Sequence, residues 1–256
     1  MASNSNARSW KNWLLPIGAA ILFLVLWQLA TLIFHIPKWM LPSPVEIATE
    51  AYDSFPRLWG HTVETVRTTI VGFAAGVTVG IMLAVLLHFF PLVKITLYPF
   101  LIISQNVPII ALAPLLMLWF GFGLLPKMIM IIIVCFFPIT LSTLNGFAQT
   151  DTTLYNYMLM SGANKKQLFW KLELPHAVPF LFSGLKISAV YSVMAAFIAE
   201  WLGSNIGIGA YMIIAKSAFR ADRVFIGIVI IVCLSMVVYG LIVLLEKRLT
   251  RWRGKV

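Results

Sequence analysis

Six apolar windows, at 14–34, 70–90, 95–120, 124–144, 180–199 and 224–245, dominate the sequence. Each is close to the ~20 residues with which an α-helix crosses a bilayer. Their interiors are continuously apolar rather than alternating, so the backbone polar groups must be satisfied within helices and not by a closed barrel. With 61% hydrophobic and 11% charged residues, the chain has too little polar surface to enclose a soluble core. The expectation is an all-α membrane protein of six transmembrane helices, with a polar tail at 1–13, a membrane domain at 14–249 and a basic tail at 250–256.

The apolar run after residue 13 lacks a small-residue cleavage site, so it reads as a retained span rather than a signal peptide. Cys135 and Cys233 each lie inside an apolar run, which argues against a disulfide framework. The net charge of +10 comes from residues at span ends and in short loops. That is the pattern of membrane topology, not of a nucleic-acid surface. With the N-terminus in the cytoplasm, eleven basic residues fall inside (Arg8, Lys11, Lys94, Lys165, Lys166, Lys171, Lys247, Arg248, Arg251, Arg253 and Lys255). Six fall outside (Lys38, Arg57, Lys127, Lys216, Arg220 and Arg223), and the bias places both termini in the cytoplasm.

Three segments stand out against the apolar background. Outside, Pro42, Ser43 and Pro44 read as a helix start for a mixed segment at 45–58. Its Tyr52, Phe55 and Trp59 suit either the membrane interface or docking onto the bundle. The second span carries Gly72, Ala74, Ala75, Gly76 and Gly80, small residues that let helices approach closely, so it reads as an interior helix. The third span is interrupted by Ser104, Gln105, Asn106, Pro108 and Pro114. Such an interruption is tolerated where protein or a watery cavity satisfies it, and two readings stand: a translocation pathway at Gln105, Asn106 and Pro108, or a kinked helix with its amides bonded internally.

Between the fourth and fifth spans lies a polar stretch, YNYMLMSGANKKQLFWKLELPHAVP, at 155–179. Leu154, Tyr157, Met158 and Ser161 share a helical spacing before Gly162, and Leu168, Phe169 and Leu172 continue an apolar face after it. From Gly162 the chain runs nine residues to Leu172, then Glu173, Leu174 and Pro175. This resembles the cytoplasmic loop signature of ATP-binding-cassette importer permeases: Glu-Ala-Ala, three residues, Gly, nine residues, Ile, any residue, Leu-Pro. Asn156, Tyr157 and Met158 replace Glu-Ala-Ala, and Leu172 replaces Ile.

The likeness extends to LPSPVEI at Leu41, PIIALAPLLMLWFGFG at Pro108, GLLPK at Gly123, FFPI at Phe136, LPHAVPFLFSGLKIS at Leu174 and AEWLGSNIGIG at Ala199. These are similar to the sulfonate, nitrate, riboflavin and thiamine-precursor importer permeases, most of all to the thiamine-precursor pyrimidine group. The resemblance implies a type I importer permease fold, with a coupling helix within 150–179, in a bacterial inner membrane. Residues Tyr157, Met158, Gly162, Ala163, Lys165, Leu168, Leu172, Leu174 and Pro175 would then couple to an ATPase.

The implied partners are a second permease copy, two ATPase subunits and an extracytoplasmic solute-binding protein. A phosphate-cradling GxxxxGK[ST] sequence is absent, so ATP and magnesium are expected on the ATPase and not on this chain. Glu200 closes the fifth span before a glycine-rich turn, and it reads either as an outer-gate group or as a carboxylate at an aqueous helix end. The four histidines, His35, His61, His88 and His176, make no metal-ligand spacing, and no catalytic residue is expected. Riboflavin and alkanesulfonate or nitrate transport are the nearest alternatives. An ion-gradient transporter would call for internal repeats and buried charges at midplane, which the sequence does not offer.

Overall fold

The computed structural model describes residues 5–251, and the outer parts of the two expected tails, 1–4 and 252–256, lie outside the described residues. In chain order the helices are α1 (Ser5–Ile33), α2 (Pro44–Asp53), α3 (Phe55–Phe89), α4 (Pro91–Ser104), α5 (Ile109–Phe120), α6 (Leu124–Ala148), α7 (Thr152–Met160), α8 (Lys165–Leu168), α9 (Leu174–Gly203), α10 (Ile208–Ser217) and α11 (Ala221–Leu249). A π-helical turn, Phe169–Glu173, welds α8 to α9, giving one apolar rod over Lys165–Gly203. Residues 5–13 of the expected tail are already helical, as part of α1.

Five helices are long and apolar enough to cross a membrane among the described residues. The window at 95–120, expected to be interrupted, is two helices, α4 and α5, meeting at 101°, and counted as one broken span this pair brings the number to six. Pro108 supplies no N–H and holds its own φ at −63°, while Asn106 Nδ2 donates 2.8 Å back to Ile102 O at the end of α4. The second expected span also begins earlier than its window. At 35 residues, α3 is about 52 Å long, well beyond a hydrocarbon core of about 30 Å.

The expected helix start at Ser43 is present as a full capping box. Ser43 Oγ accepts from Glu46 N at 3.3 Å, and Glu46 Oε2 accepts from Ser43 N at 2.8 Å. The mixed segment is however divided at Ser54, so Tyr52 ends on α2 whereas Phe55 and Trp59 belong to α3. Glu50 on α2 pairs with Arg220 and Arg223, and Lys38 reaches Asp222 at 3.2 Å, tying α2 to the start of α11.

The core is built on α3, α6 and α9. Gly72, Gly76 and Gly80 lie at four-residue spacing, and a Cβ placed on each would strike Ile131, Cys135 and Ile139 in turn. The two series rise together, so α3 and α6 run parallel, backbone against side chain, along a seam of small residues. Helix α9 packs antiparallel against α6, with Gly184 against Pro138 and Ile139 and Gly146 against Ala177. Thr140 Oγ1 donates 3.0 Å to Gly80 O, a side chain satisfying a backbone acceptor at the seam.

Candidate coupling elbow and translocation pathway

The loop between α6 and α9 forms an elbow at one end of the bundle. Asp151 opens α7, its Oδ1 accepting from Thr153 N at 2.8 Å and Leu154 N at 3.3 Å. Those two N–H groups hold its carboxyl below the ordinary carboxylate range. Gly162 closes α7 in a Schellman motif: Ala163 N donates to Met158 O at 3.0 Å, and Gly162 N to Leu159 O at 2.9 Å. The motif requires a left-handed residue, and Gly162 has φ +85° with nothing within 4 Å of a notional Cβ. Glycine is there for its backbone, not for space.

Two residues later Asn164 and Gln167 form a capping box, Gln167 N to Asn164 Oδ1 at 2.9 Å and Asn164 N to Gln167 Oε1 at 2.8 Å. The elbow is thus locally specified at three points without help from the spans. Tyr157, Leu154 and Met160 stand exposed, as do Lys165 and Lys166, while Met158, Ala163, Leu172, Leu174 and Pro175 are half-buried. Leu168 turns the other way: it is 1% exposed, inside the chain, and Phe169 stacks beside Phe147 and His88.

Pro175 and Pro179 carry no N–H, so the carbonyls of Lys171 and Pro175 lose their α-helical partners. Just before Pro175 the helix widens into the π turn, with Leu174 N donating to Phe169 O. Glu173 on that turn meets His88 Nε2 of α3 at 3.1 Å. Sequence reasoning had no access to this clasp, because it joins residues 85 positions apart.

The bend between α4 and α5 opens onto a cavity of about 630 Å³ between α6 and α9. Its walls come from Ile133–Ser142, the middle of α6, and Ile187–Ile198, in the second half of α9, so it reaches mid-depth from the side away from the elbow. Gln105 lines it, together with Ser104, Ser142 and Tyr191, in an otherwise apolar setting. Asn106 spends its amide on α4, and Pro108 caps the start of α5.

Glu200 lies elsewhere, near the opposite end from the elbow. Instead of ending in water it is 0% exposed. Its Oε2 accepts from Thr65 Oγ1 at 2.8 Å and from Gly209 N at 3.2 Å, and Thr65 Oγ1 also accepts from Ile208 N at 2.9 Å. The carboxylate fills the space a side chain at Gly207 (φ +118°) would need, so the glycine-rich turn folds over it. The burial follows from contacts supplied by α3 and α10, which no local pattern around residue 200 reveals.

Residues 76–251 match the family model described as binding-protein-dependent transport system inner membrane component. The chain belongs to that family. It is an ATP-binding-cassette importer permease, a transport component and a multi-pass protein of the inner membrane. A formylaminopyrimidine transport permease of Halalkalibacterium halodurans is 33% identical over 236 residues, covering 92% of this chain and 94% of that protein. A riboflavin transport system permease of Chloroflexus aurantiacus is 31% identical over 242 residues, covering 94% and 90%. The inward-facing MetNI methionine transporter shares the fold, with a TM-score of 0.62 and 22% identity over 78% of this chain and 99% of that one.

Proposed function

We propose that this permease works as one of two copies above a pair of ATPase subunits, and that it carries a thiamine-precursor pyrimidine handed over by a binding protein. The observation that carries the reading is the elbow. It is capped at Asp151, Gly162 and Asn164, exposed at Tyr157 and Lys166, and continuous with α9 through the π turn. Such an element passes displacement into a span instead of dissipating it. ATP and magnesium act on the ATPase, and the elbow and both termini face the cytoplasm.

Inverting a two-state gate from 1:99 to 99:1 takes about 5.5 kcal/mol of differential binding. Gripping a rigid elbow supplies that difference only if the elbow moves with α9, as the π weld allows. Cargo then meets Gln105 in the mid-depth cavity, where an amide offers both a donor and an acceptor to a flat heterocycle. The similarity to the formylaminopyrimidine permease supports this cargo over riboflavin or alkanesulfonates.

The test is uptake into sealed vesicles holding the permease, its ATPase and its binding protein, with labelled aminopyrimidine as solute. ATP-dependent accumulation, outcompeted by unlabelled pyrimidine but not by riboflavin or ethanesulfonate, is expected. Uptake driven by an ion gradient without ATP overturns the reading.

A further inference from the structure

A second cavity, of about 780 Å³, opens at the end of the bundle away from the elbow, between the start of α6, the end of α9, the glycine-rich turn and Ile213 of α10. Its size falls in the ~300–1,000 Å³ range of small-molecule sites. Among its walls are Glu64, Phe122, Lys127, Trp201, Ser204 and Asn205.

Lys127 is the unusual member, a cation only 6% exposed. An ammonium carries three N–H donors, and a buried one needs them filled. Among the described residues Lys127 Nζ donates once, to Ser204 Oγ at 2.8 Å, and it forms no ion pair. Ser204 in turn is committed, donating to Ile206 O at 2.6 Å and accepting from Ile206 N at 3.2 Å. The enclosed Glu200 is electrostatically coupled to Lys127, but its hydrogen bonds go to Thr65 and Gly209. Two ammonium donors are therefore left without a protein partner among the described residues, on a side chain that lines the cavity. Glu64 lines the same space, held at 4.0 Å by the outward Arg67, and Asn205, also on its wall, has no hydrogen-bond partner among the described residues.

The geometry points to a receiving site for a small solute with a strong acceptor or anionic group at one end and an amine at the other. Lys127 takes the acceptor, and Glu64 with Asn205 takes the amine. A latch for the turn alone would need only a neutral donor to Ser204. An ammonium is costly to bury, and an acceptor that arrives and leaves would supply what Ser204 and Glu200 do not. The site rests on the importer reading only for the direction of travel: it would be the first stop, ahead of the mid-depth cavity.

The experiment is calorimetric titration of the full-length permease in nanodiscs, without binding protein, using 4-aminopyrimidine, taurine and ethanesulfonate as probes. Saturable binding of an amine-bearing probe is expected, weakened about tenfold or more in Lys127→Met, as for loss of a charge-assisted hydrogen bond. Glu64→Gln should weaken the amine-bearing probes and leave ethanesulfonate unchanged, a selectivity that a merely structural role would not produce. If Lys127→Met fails to assemble, the Glu64→Gln pattern decides alone. The site is overturned if no probe binds saturably, or if binding survives Lys127→Met, or if Glu64→Gln affects all probes alike. Vesicle uptake run in parallel separates the two readings: uptake without this binding removes the site and keeps the importer, whereas binding without ATP-dependent uptake does the reverse.

Discussion

At Gly162 the chain makes a choice that only one residue type makes cheaply. A left-handed conformation costs other residues about 1–2 kcal/mol, and open space around the position offers no compensation. Gly162→Val should therefore insert and assemble but reshape the elbow, leaving ATP hydrolysis in the assembled importer while uptake falls at least several-fold. Wild-type uptake by that variant would sink the coupling role. Asp151 works at the other end of α7, and the sign of its pH dependence follows from its lowered carboxyl. Its cap is fully present above the ordinary value of 3.8 and is lost only as the pH falls through the lower folded value. Amide exchange at Thr153 and Leu154 should then stay slow across the neutral range in the native protein and become fast there in Asp151→Ala. At the far end, Thr65→Val orphans Ile208 N–H and one side of Glu200, which should lower stability by about 1–3 kcal/mol in thermal unfolding.

Among the elements, the α3–α6 seam makes the sharpest prediction. A Cβ on Gly76 would lie 2.7 Å from that of Cys135, so Gly76→Val should cost about 1–3 kcal/mol through overpacking. Gly60→Ala, where nothing lies within 4 Å, should cost nothing measurable in the same melting experiment. This stripe was legible beforehand, because small residues at helical spacing signal close approach whatever the partner. So was the helix start at Pro42, Ser43 and Pro44, written in adjacent residues, whereas its capping box with Glu46 is a finding of the structure. The 101° bend was only half legible: Ser104 to Pro108 announced an interruption, but the exit angle depends on what α5 packs against. The inward turn of Leu168 was hidden for the same reason, since a stripe of apolar residues does not say whether its cover comes from within the chain or from outside.

For the whole molecule, charge bias and the elbow together predict sidedness. In a background lacking Cys233, Lys166→Cys should react with an impermeant thiol reagent only from the cytoplasmic face, and Tyr52→Cys, 84% exposed in the wild type, only from the opposite face. Reversed labelling would leave the elbow out of any ATPase's reach. Long-range placement was the least readable layer. Glu200 read either as an outer-gate group or as a residue at a wet helix end, Lys127 as one of the outer basic residues and His88 as a histidine without metal-ligand spacing. Each is defined by a partner from a distant segment: Thr65, Ser204 and Glu173 respectively.

The unbroken rod from Lys165 to Gly203 touches the elbow at one extremity and the Glu200-bound turn at the other. A stiff beam pivoting near its middle swings its two tips in opposite senses. Widening at one mouth and narrowing at the other would then be a single rotation seen from two sides, with no separate signal needed to keep them out of step.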